Sequence, residues 1–340
     1  MKYTENYLAD LKRIAPCVPN PGRLAGTRIL ITGAGGLICS ALVDFLMNLE
    51  QDIQVYAAGR DPEKLKKRFS HWQGNPNLHY VRYDALEPLE LDTPMDYLIH
   101  GASNASPKAY SAQPVETMLA NFTGMHNVLR YAHSCGSRAV LYVSSSEVYG
   151  KKDNADLYGE EEYGFVDILN PRACYPCSKR AAETLCAAYT AEYGLRTVIV
   201  RPGHIYGPTA TPSDDRASSQ FPRDVLAGKD IIMKSAGSQL RSYCYVLDCV
   251  SAMVTVLLDG QTASAYNISN PDSVVTIRQM AEGFAHAAGR KIVFENPSDV
   301  EAKSYNLMDN SALDAQRLIA LGWKGLFDLP AGVAATLDAM

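Results

Sequence analysis

Long apolar runs are absent from this sequence, and so is a strong excess of charge of either sign. Hydrophobic residues make up 47% of the 340 residues, yet no run approaches the roughly 18 residues that a membrane-spanning helix needs. The 37 acidic residues nearly balance the 32 lysines and arginines, which leaves a formal net charge of -5. Because nucleic-acid-binding surfaces are strongly basic, we expect no nucleic-acid partner and no membrane segment.

A disulfide framework is also lacking. The eight cysteines follow no paired pattern, and residues 1–10 carry acidic and basic side chains instead of the apolar stretch of a signal peptide. Cys174 and Cys177 have the spacing of a metal-binding pair, but no second pair or spaced histidine pair follows, so we predict no metal site. These absences predict a reduced, cytoplasmic protein.

The length permits one large domain or two modest ones. Residues 1–25 combine a short amphipathic helix, with apolar side chains at helical spacing between Tyr7 and Ile14, and a proline-rich connector. We interpret this N-terminal extension as an appendage or an oligomer contact. A dinucleotide-binding domain is predicted at residues 26–203, and residues 204–340 are predicted to form mainly a substrate-binding lobe.

A compact apolar strand at residues 28–32 leads into a glycine-rich turn and then into a helix from Ser40 to Leu49. Glycine is needed because the turn is tight and because a pyrophosphate must approach the backbone N–H groups at the helix start. This order of strand, turn and helix is typical of dinucleotide binding. The predicted cofactor contacts are Gly33, Gly35, Gly36, Leu37 and Ile38, and Cys39 stands where a third glycine is usual.

The second predicted strand, residues 53–58, ends in Gly59 and Arg60 instead of the acidic residue that would bind the ribose 2′-hydroxyl. An arginine here could accept a 2′-phosphate, which favours NADP over NAD. Alternatively, Arg60 stacks on adenine or is simply exposed.

Two further strand-like segments occur at residues 78–83 and 95–100. The first ends at Asp84, which could bond the adenine amino group. The second is followed by small residues, among them Ala102 and Ser103, that would let the cofactor's diphosphate and ribose pass.

Later segments continue the alternation. The pattern predicts a helix at residues 114–134, strands at 138–143 and 195–201, and a helix at 247–258. This alternation indicates an α/β protein with a Rossmann-type doubly wound parallel sheet, which residues 242–260 rejoin, and a smaller C-terminal substrate-binding lobe.

Four polar residues, Ser144 to Glu147, follow the apolar strand at 138–143 and reach the sheet edge where open α/β sheets bind ligands. Downstream, Tyr175 and Lys179 lie four residues apart on a predicted helix and share a face. The ammonium could lower the pKa of the phenol and make it a general base. Each feature alone could be a serine-rich turn or an unrelated pair, but their order after the nucleotide turn favours catalysis.

Loops beyond the sheet edge carry the candidate substrate contacts His204, Arg216 and Arg241. A diphosphate is the anion that we expect Arg241 to bind. Asn104 joins this set from the small-residue turn, while His204 could also be an ordinary loop histidine.

These motifs together resemble the extended short-chain dehydrogenase/reductase superfamily, and within it the nucleotide-sugar epimerases, dehydratases and decarboxylases. The resemblance covers about residues 26–325. The closest local similarity is to UDP-glucuronate decarboxylases, and it lies at residues 102–107, 146–150, 171–175 and 237–241.

The resemblance implies that Tyr175 removes the proton of a sugar C4 hydroxyl while a hydride passes to a nicotinamide. Lys179 would hold the ribose hydroxyls, and Ser145 would bond the C4 oxygen. Glu147, with Ser146 beside it, would act near C5 and C6. Because the same hydride returns later in the turnover, the resemblance also implies a tightly bound cofactor that regenerates itself, which favours NAD.

Decarboxylation of UDP-glucuronate is the favoured reaction, and 4-epimerisation is the next. A 4,6-dehydratase is disfavoured because Ser146 stands where such enzymes have an aspartate. An NADPH-dependent 4-keto-sugar reductase and a catalytically silent regulatory relative stay open. The sequence departs from the decarboxylase pattern at residues 176–178, at Gly59 and at His204, so the sugar of the nucleotide-diphosphate substrate stays open as well.

The same resemblance implies a homodimer. In it, the helices predicted at 114–134 and 174–193 would pair with their copies in a four-helix seam.

Overall fold

Helices on both faces enclose a parallel sheet in the larger lobe of the chain. The computed structural model describes residues 1–105, 107–152, 156–296 and 309–340, so Ser106 of the motif at 102–107 lies outside the described residues. The strands are β1 (Thr27–Thr32), β2 (Ile53–Gly59), β3 (Leu78–Arg82), β4 (Tyr97–His100), β5 (Ala139–Val143), β6 (Thr197–Pro202), β7 (His204–Tyr206), β8 (Ile231–Met233), β9 (Leu240–Tyr245), β10 (Ser264–Ile268), β11 (Val274–Thr276), β12 (Ile292–Phe294) and β13 (Asn310–Ser311).

The larger sheet has seven strands in the order β10-β6-β5-β4-β1-β2-β3, and every neighbouring pair is parallel. After β3 the chain crosses to the other side of β1, which places the topological switch point between β1 and β4. The predicted doubly wound Rossmann-type sheet is therefore confirmed. Ligands of such sheets bind outside the carboxyl ends of the strands at this point.

The helices are α1 (Glu5–Ile14), α2 (Leu37–Asn48), α3 (Pro62–Arg68), α4 (Pro107–Ala112), α5 (Pro114–Ser134), α6 (Cys174–Tyr193), α7 (Ala217–Leu226), α8 (Val246–Asp259), α9 (Ile277–Ala287), α10 (Gln316–Ile319) and α11 (Leu329–Ala339). Strand residues such as Leu30 and Tyr142 pack on α5 and α6, while Ile29 and Leu141 face α2 and α8. Both sheet faces are thus buried, which explains the nearly continuous apolar strands. Within the described ranges, no helix is long and apolar enough to cross a membrane.

The smaller lobe is built around β9, which pairs with β7, β11 and β13. Strands β8 and β12 form a separate pair. The chain then returns to the larger lobe, because α8 packs on α2 and β10 pairs with β6. The β7–β9 pairing places His204 opposite Tyr243 beside the carboxyl edge of the larger sheet.

The N-terminal helix packs within its own chain, against α2, α8 and α11. Its anchor is the buried Asp44 carboxylate of α2, which accepts hydrogen bonds from four side chains. The donors are Tyr3 at 2.7 Å, Tyr7 at 3.0 Å, Arg68 at 2.7 Å and Trp72 at 2.9 Å. The Asp44 carboxylate therefore links α1 and the α3 region to α2, the helix that begins at the glycine-rich turn.

Candidate active site

The glycine-rich turn joins β1 to α2 at the carboxyl edge of the sheet. Gly33 has a φ of +69°, and a Cβ there would lie 2.8 Å from the backbone of Gly101 and Ala102. Gly36 precedes α2 with extended backbone and offers no side-chain cap. The N–H groups of the first helical residues, Leu37 to Cys39, precede the first intrahelical bond, which Ser40 donates to the Gly36 carbonyl at 2.9 Å. This geometry fits a pyrophosphate at the helix N-terminus.

The absence of a third glycine is compensated by the neighbouring strand end. Gly35 belongs to the same turn, and Ile38 and Cys39 follow in the first turn of α2. A Cβ on Gly101 would overlap the Cys39 sulfur. Because Gly101 has no side chain, α2 packs close to the sheet in spite of the larger residue at position 39.

Further residues predicted to contact the cofactor follow β2, β3 and β4 along the same edge. Arg60 is exposed, and the half-buried Asp84 accepts the Leu86 N–H at 3.1 Å. In the turn with Ala102, the Ser103 hydroxyl is buried and has no hydrogen-bond partner among the residues that the structure describes. A bound cofactor would explain this orphaned hydroxyl. The individual contacts stay predictions.

Lys179 is buried one helical turn after Tyr175 on α6, so the two side chains share a face. Its ammonium donates to the Val143 carbonyl at 2.8 Å and lies 5.6 Å from the centre of the Tyr175 ring. Burial lowers the pKa of Lys179 to about 7, although the negative charge of Glu183 opposes this change.

The expectation that Lys179 lowers the pKa of Tyr175 does not describe the net effect in this structure, because the pKa of Tyr175 is raised. Burial raises the pKa of Tyr175, and the negative charge of Glu147 raises it further. Hydrogen bonds with Ser145 and Tyr110 act in the opposite direction. Desolvation dominates because the Tyr175 side chain is itself buried, and burial disfavours the charged phenolate.

The polar residues after β5 form a short helical turn beneath the site. Ser145 caps this turn, since its Oγ accepts the Glu147 N–H at 3.2 Å. Ser146 is buried, as is Ser144, whose hydroxyl lacks a hydrogen-bond partner in the described part of the chain. The Glu147 carboxylate forms a bidentate ion pair with the Arg172 guanidinium, with N–O distances of 3.0 and 3.1 Å.

Two residues of the site were missed by the sequence analysis as functional groups. The Tyr110 ring stacks on the Tyr175 ring, with centroids 4.4 Å apart and planes 16° apart. The Arg172 guanidinium lies over the Tyr110 ring, 4.7 Å from its centroid. Arg172 stands within the motif at 171–175 and could have been noticed there. Tyr110 has no local signal, because only tertiary packing brings α4 against α6.

Two arginines of the smaller lobe face the same site. Arg241 is only 3% exposed, and its guanidinium donates to the Leu240 carbonyl at 2.9 Å. Burial lowers its pKa. Arg216 is held by Asp214 through bonds of 2.9 and 2.5 Å, and its charge acts on Tyr175.

His204 lies close enough to both arginines for their charges to act on it. Burial lowers the pKa of His204 to about 3, and the charges of Arg241 and Arg216 lower it further. The imidazole is therefore neutral at physiological pH, and its Nδ1 atom has no hydrogen-bond partner among the described residues. Asn104 is half-buried in the turn after β4. The structure thus brings His204, Arg216 and Arg241 close to one another, with the charge of Arg216 acting on Tyr175 and that of Glu147 acting on Arg241. The substrate contacts themselves stay predictions.

Comparison with known proteins identifies the family. The sequence pattern of the family described as "NAD dependent epimerase/dehydratase family" matches residues 29–269. UDP-glucuronic acid decarboxylase 1 of Xenopus tropicalis is 32% identical over 316 residues, which cover 91% of this chain and 71% of that protein. UDP-glucuronic acid decarboxylase 6 of Arabidopsis thaliana is 35% identical over 272 residues, or 78% of this chain and 77% of that protein.

Solved structures share the fold. A dTDP-glucose 4,6-dehydratase from Streptomyces venezuelae, solved with NAD, has a TM-score of 0.79 at 22% identity and matches 92% of this chain and 96% of that chain. A UDP-glucuronic acid 4-epimerase from Bacillus cereus, also solved with NAD, has a TM-score of 0.78 at 21% identity and matches 92% and 98%. Together with the family match and the glycine turn, these comparisons show that the chain belongs to the NAD dependent epimerase/dehydratase family.

Proposed function

We propose that this chain decarboxylates UDP-glucuronate through transient oxidation at C4. The observation that carries the proposal is the set of groups in one site: the Tyr175 phenol, the Ser145 hydroxyl, and a carboxylate at Glu147 next to a buried serine. A dehydratase needs an acid to protonate the departing C6 hydroxyl, and Ser146 is too weak an acid for that step. The relatives named above as UDP-glucuronic acid decarboxylases support the same substrate.

In this reaction Tyr175 accepts the proton of the C4 hydroxyl, and Ser145 holds the C4 oxygen. A bound nicotinamide cofactor supplies the hydride acceptor, and later the donor. Lys179, whose ammonium lies 5.6 Å from the centre of the Tyr175 ring, would hold the ribose hydroxyls. Once C4 is a ketone, the C6 carboxylate lies β to it and leaves as carbon dioxide while the bonding electrons pass toward the C4 oxygen. Glu147 would act near C5 in this second step, in which C5 is reprotonated.

The cationic end of the site suits the anionic parts of the substrate. Arg241 and Arg216 would pair with the diphosphate, because a guanidinium binds phosphate oxygens through two parallel bonds. The neutral His204 would offer a hydrogen bond to the sugar without adding charge.

The cofactor stays bound in this scheme, because each turnover returns its hydride. Purified protein should therefore release NAD or NADP on denaturation, and mass spectrometry of the released nucleotide identifies which. A 2′-phosphate on it would support the role of Arg60.

Incubation with UDP-glucuronate, UDP-glucose and their N-acetyl analogues tests the reaction. Loss of the mass of carbon dioxide from UDP-glucuronate supports decarboxylation, and this loss should disappear in Tyr175→Phe. Unchanged mass with a changed NMR spectrum would indicate 4-epimerisation instead. Stoichiometric consumption of added NADPH would indicate a reductase. Wild-type protein that leaves every sugar nucleotide unchanged would contradict the proposal.

We also propose that the chain forms a homodimer through α5. Four apolar residues at positions i, i+3, i+4 and i+7 of this helix, each 44% to 63% exposed, form a stripe on one face: Val115, Met118, Leu119 and Phe122. The neighbouring α6 presents small side chains to solvent, among them Thr184, Ala187 and Ala188. A large apolar face beside a small-residue face suits close pairing with a second copy.

A further inference from the structure

Arg172 contacts both halves of the candidate catalytic set. Its guanidinium holds both oxygens of Glu147, at 3.0 and 3.1 Å, and covers the Tyr110 ring at 4.7 Å. Tyr110 in turn stacks on Tyr175 at 4.4 Å. A continuous chain of contacts therefore runs from the Glu147 carboxylate through Arg172 and Tyr110 to the phenol.

The local sequence fixes where this guanidinium lies. Arg172 belongs to a short helical turn, Pro171–Ala173, that leads directly into α6. The Asn170 side chain caps the turn by accepting the Arg172 N–H at 3.0 Å. Because Tyr175 stands three residues later on the same rigid segment, the two side chains have a fixed relation to each other.

Only arginine can make both contacts at once. Its planar fork matches a carboxylate through two bonds, and its flat face stacks on an aromatic ring. Lysine would keep the charge, but its compact ammonium can neither bind the carboxylate in a bidentate way nor stack on an aromatic ring.

The charges around Tyr175 show what the ion pair does. Glu147, Tyr110, Arg216 and Lys179 face the phenol, and Glu147 is the charge that most opposes phenolate. A carboxylate paired with a guanidinium exerts a weaker field on its surroundings than a lone carboxylate.

We propose that Arg172 is a positioning residue that holds the Glu147 carboxylate and, through Tyr110, the Tyr175 ring in one arrangement. Its positive charge also offsets the negative charge of Glu147 while Tyr175 takes the C4 proton. The role of Tyr175 in this statement rests on the proposed function.

The test compares Arg172→Gln and Arg172→Lys with wild type in single-turnover reduction of the bound cofactor by UDP-glucuronate, followed across pH. Arg172→Gln should lower the rate roughly 100-fold, as small misplacements of catalytic groups do, with a smaller change in KM. The rising limb of its pH profile should move to higher pH, because an unpaired Glu147 raises the pKa of the base.

The companion variants separate charge from geometry. Arg172→Lys should return the rising limb of the pH profile to its wild-type position, because lysine keeps the positive charge. It should not restore the rate, because lysine lacks the bidentate guanidinium. The double variant Arg172→Gln/Glu147→Gln should also restore the limb. Arg278→Gln is the matched control, because Arg278 pairs with Glu282 at 2.9 Å and covers the Phe294 ring at 5.5 Å but contacts neither Glu147 nor Tyr110. It should leave both rate and limb unchanged.

A second readout keeps this inference apart from the proposed reaction. Fluorotyrosine incorporated at position 175 reports the titration of the phenol by fluorine NMR without substrate. Arg172→Gln should raise the pKa of that phenol even if no sugar nucleotide is turned over, in which case only the proposed function fails. An unshifted phenol together with an unmoved pH limb in Arg172→Gln would overturn the role of Arg172.

Discussion

Burial, more than local charge pairing, sets the chemistry of single side chains in this site. The phenol of Tyr175 becomes harder to ionise in the protein, and the ammonium of Lys179 becomes easier to neutralise. Both changes have the same cause, because a low-dielectric interior disfavours whichever form carries charge. A working base therefore requires groups that stabilise phenolate once substrate and cofactor are in place, and Ser145 is already positioned to do so.

The exposed Arg60 leads to a prediction about cofactor choice. Arg60→Ala should weaken NADP binding about tenfold or more, because a charge-assisted bond to a 2′-phosphate is lost, and should leave NAD binding nearly unchanged. Titration calorimetry of protein stripped of its nucleotide measures both affinities. Lys66→Ala is the control, since Lys66 is an exposed residue of α3 that pairs with Glu63 at 2.7 Å. Equal losses for NAD and NADP would show that Arg60 stacks on adenine instead.

A second prediction at this scale concerns the buried His100, which shares a hydrogen bond of 2.8 Å with Thr32. Burial lowers the pKa of His100 from 6.5 to about 3. Between about pH 3 and pH 6.5 the His100 side chain is protonated in the unfolded chain but neutral in the folded chain. The contribution of His100 to the free energy of unfolding is therefore fully present above pH 6.5 and falls as the pH decreases below it. The fall amounts to about 1.4 kcal/mol per pH unit.

His100→Gln should remove this part of the acid sensitivity. Urea unfolding at several pH values between 7 and 4 gives the free energy of unfolding of both proteins, and their difference should change with pH by the slope above. The exposed His286 of α9 offers the control substitution. A pH-independent difference for His100→Gln would contradict the assignment.

Individual elements are positioned by a few polar anchors as well as by apolar packing. Asp44 joins α1 and the α3 region to α2, the helix whose start forms the cofactor turn. At the other end of the sheet, Lys179 ties α6 to the end of β5 through the Val143 carbonyl. Such buried polar anchors fix the relative placement of elements, because a misplaced helix would leave their charges without partners.

Asp44→Asn should therefore destabilise the fold by about 3 to 5 kcal/mol, since it leaves the charge of Arg68 without its buried partner. Chemical denaturation followed by circular dichroism measures the loss. Glu50→Gln, which removes the exposed Lys12–Glu50 pair at 3.8 Å, should change the free energy of unfolding by less than about 1 kcal/mol. Similar small effects for both substitutions would mean that α1 is not anchored through Asp44.

At the scale of the whole molecule, the site lies where the two lobes meet. The larger lobe supplies the glycine turn, the serines and the Tyr175 helix, while His204, Arg216 and Arg241 belong to segments around the smaller lobe. Because the chain passes between the lobes more than once, the site's geometry depends on their mutual packing. Neither lobe alone contains the full set of groups.

The proposed dimer gives a prediction at this scale. Phe122→Glu should convert the dimer to a monomer, because a charge would be buried in the apolar α5 seam. Light scattering coupled to size-exclusion chromatography measures the mass. Leu226→Glu on α7 is a matched control, since Leu226 is 50% exposed but lies outside the stripe. A wild-type monomer at micromolar concentration would contradict the dimer.

Patterns within short stretches predicted the elements well. The helices predicted at 114–134 and 174–193 correspond to α5 and α6, because apolar periodicity and flanking prolines mark such helices locally. The strand predicted at 195–201 is β6, displaced by only a residue or two. The shared face of Tyr175 and Lys179 followed from helical spacing alone.

The sequence by itself determined the order of strands and helices, the glycine turn and the residues that can do chemistry, because these depend on neighbours along the chain. Tertiary structure alone decided which distant groups meet: Tyr110 on Tyr175, and four donors on Asp44. It also reversed the expected change in the Tyr175 pKa. The reason is physical, since burial and stacking depend on long-range packing, which local spacing does not encode.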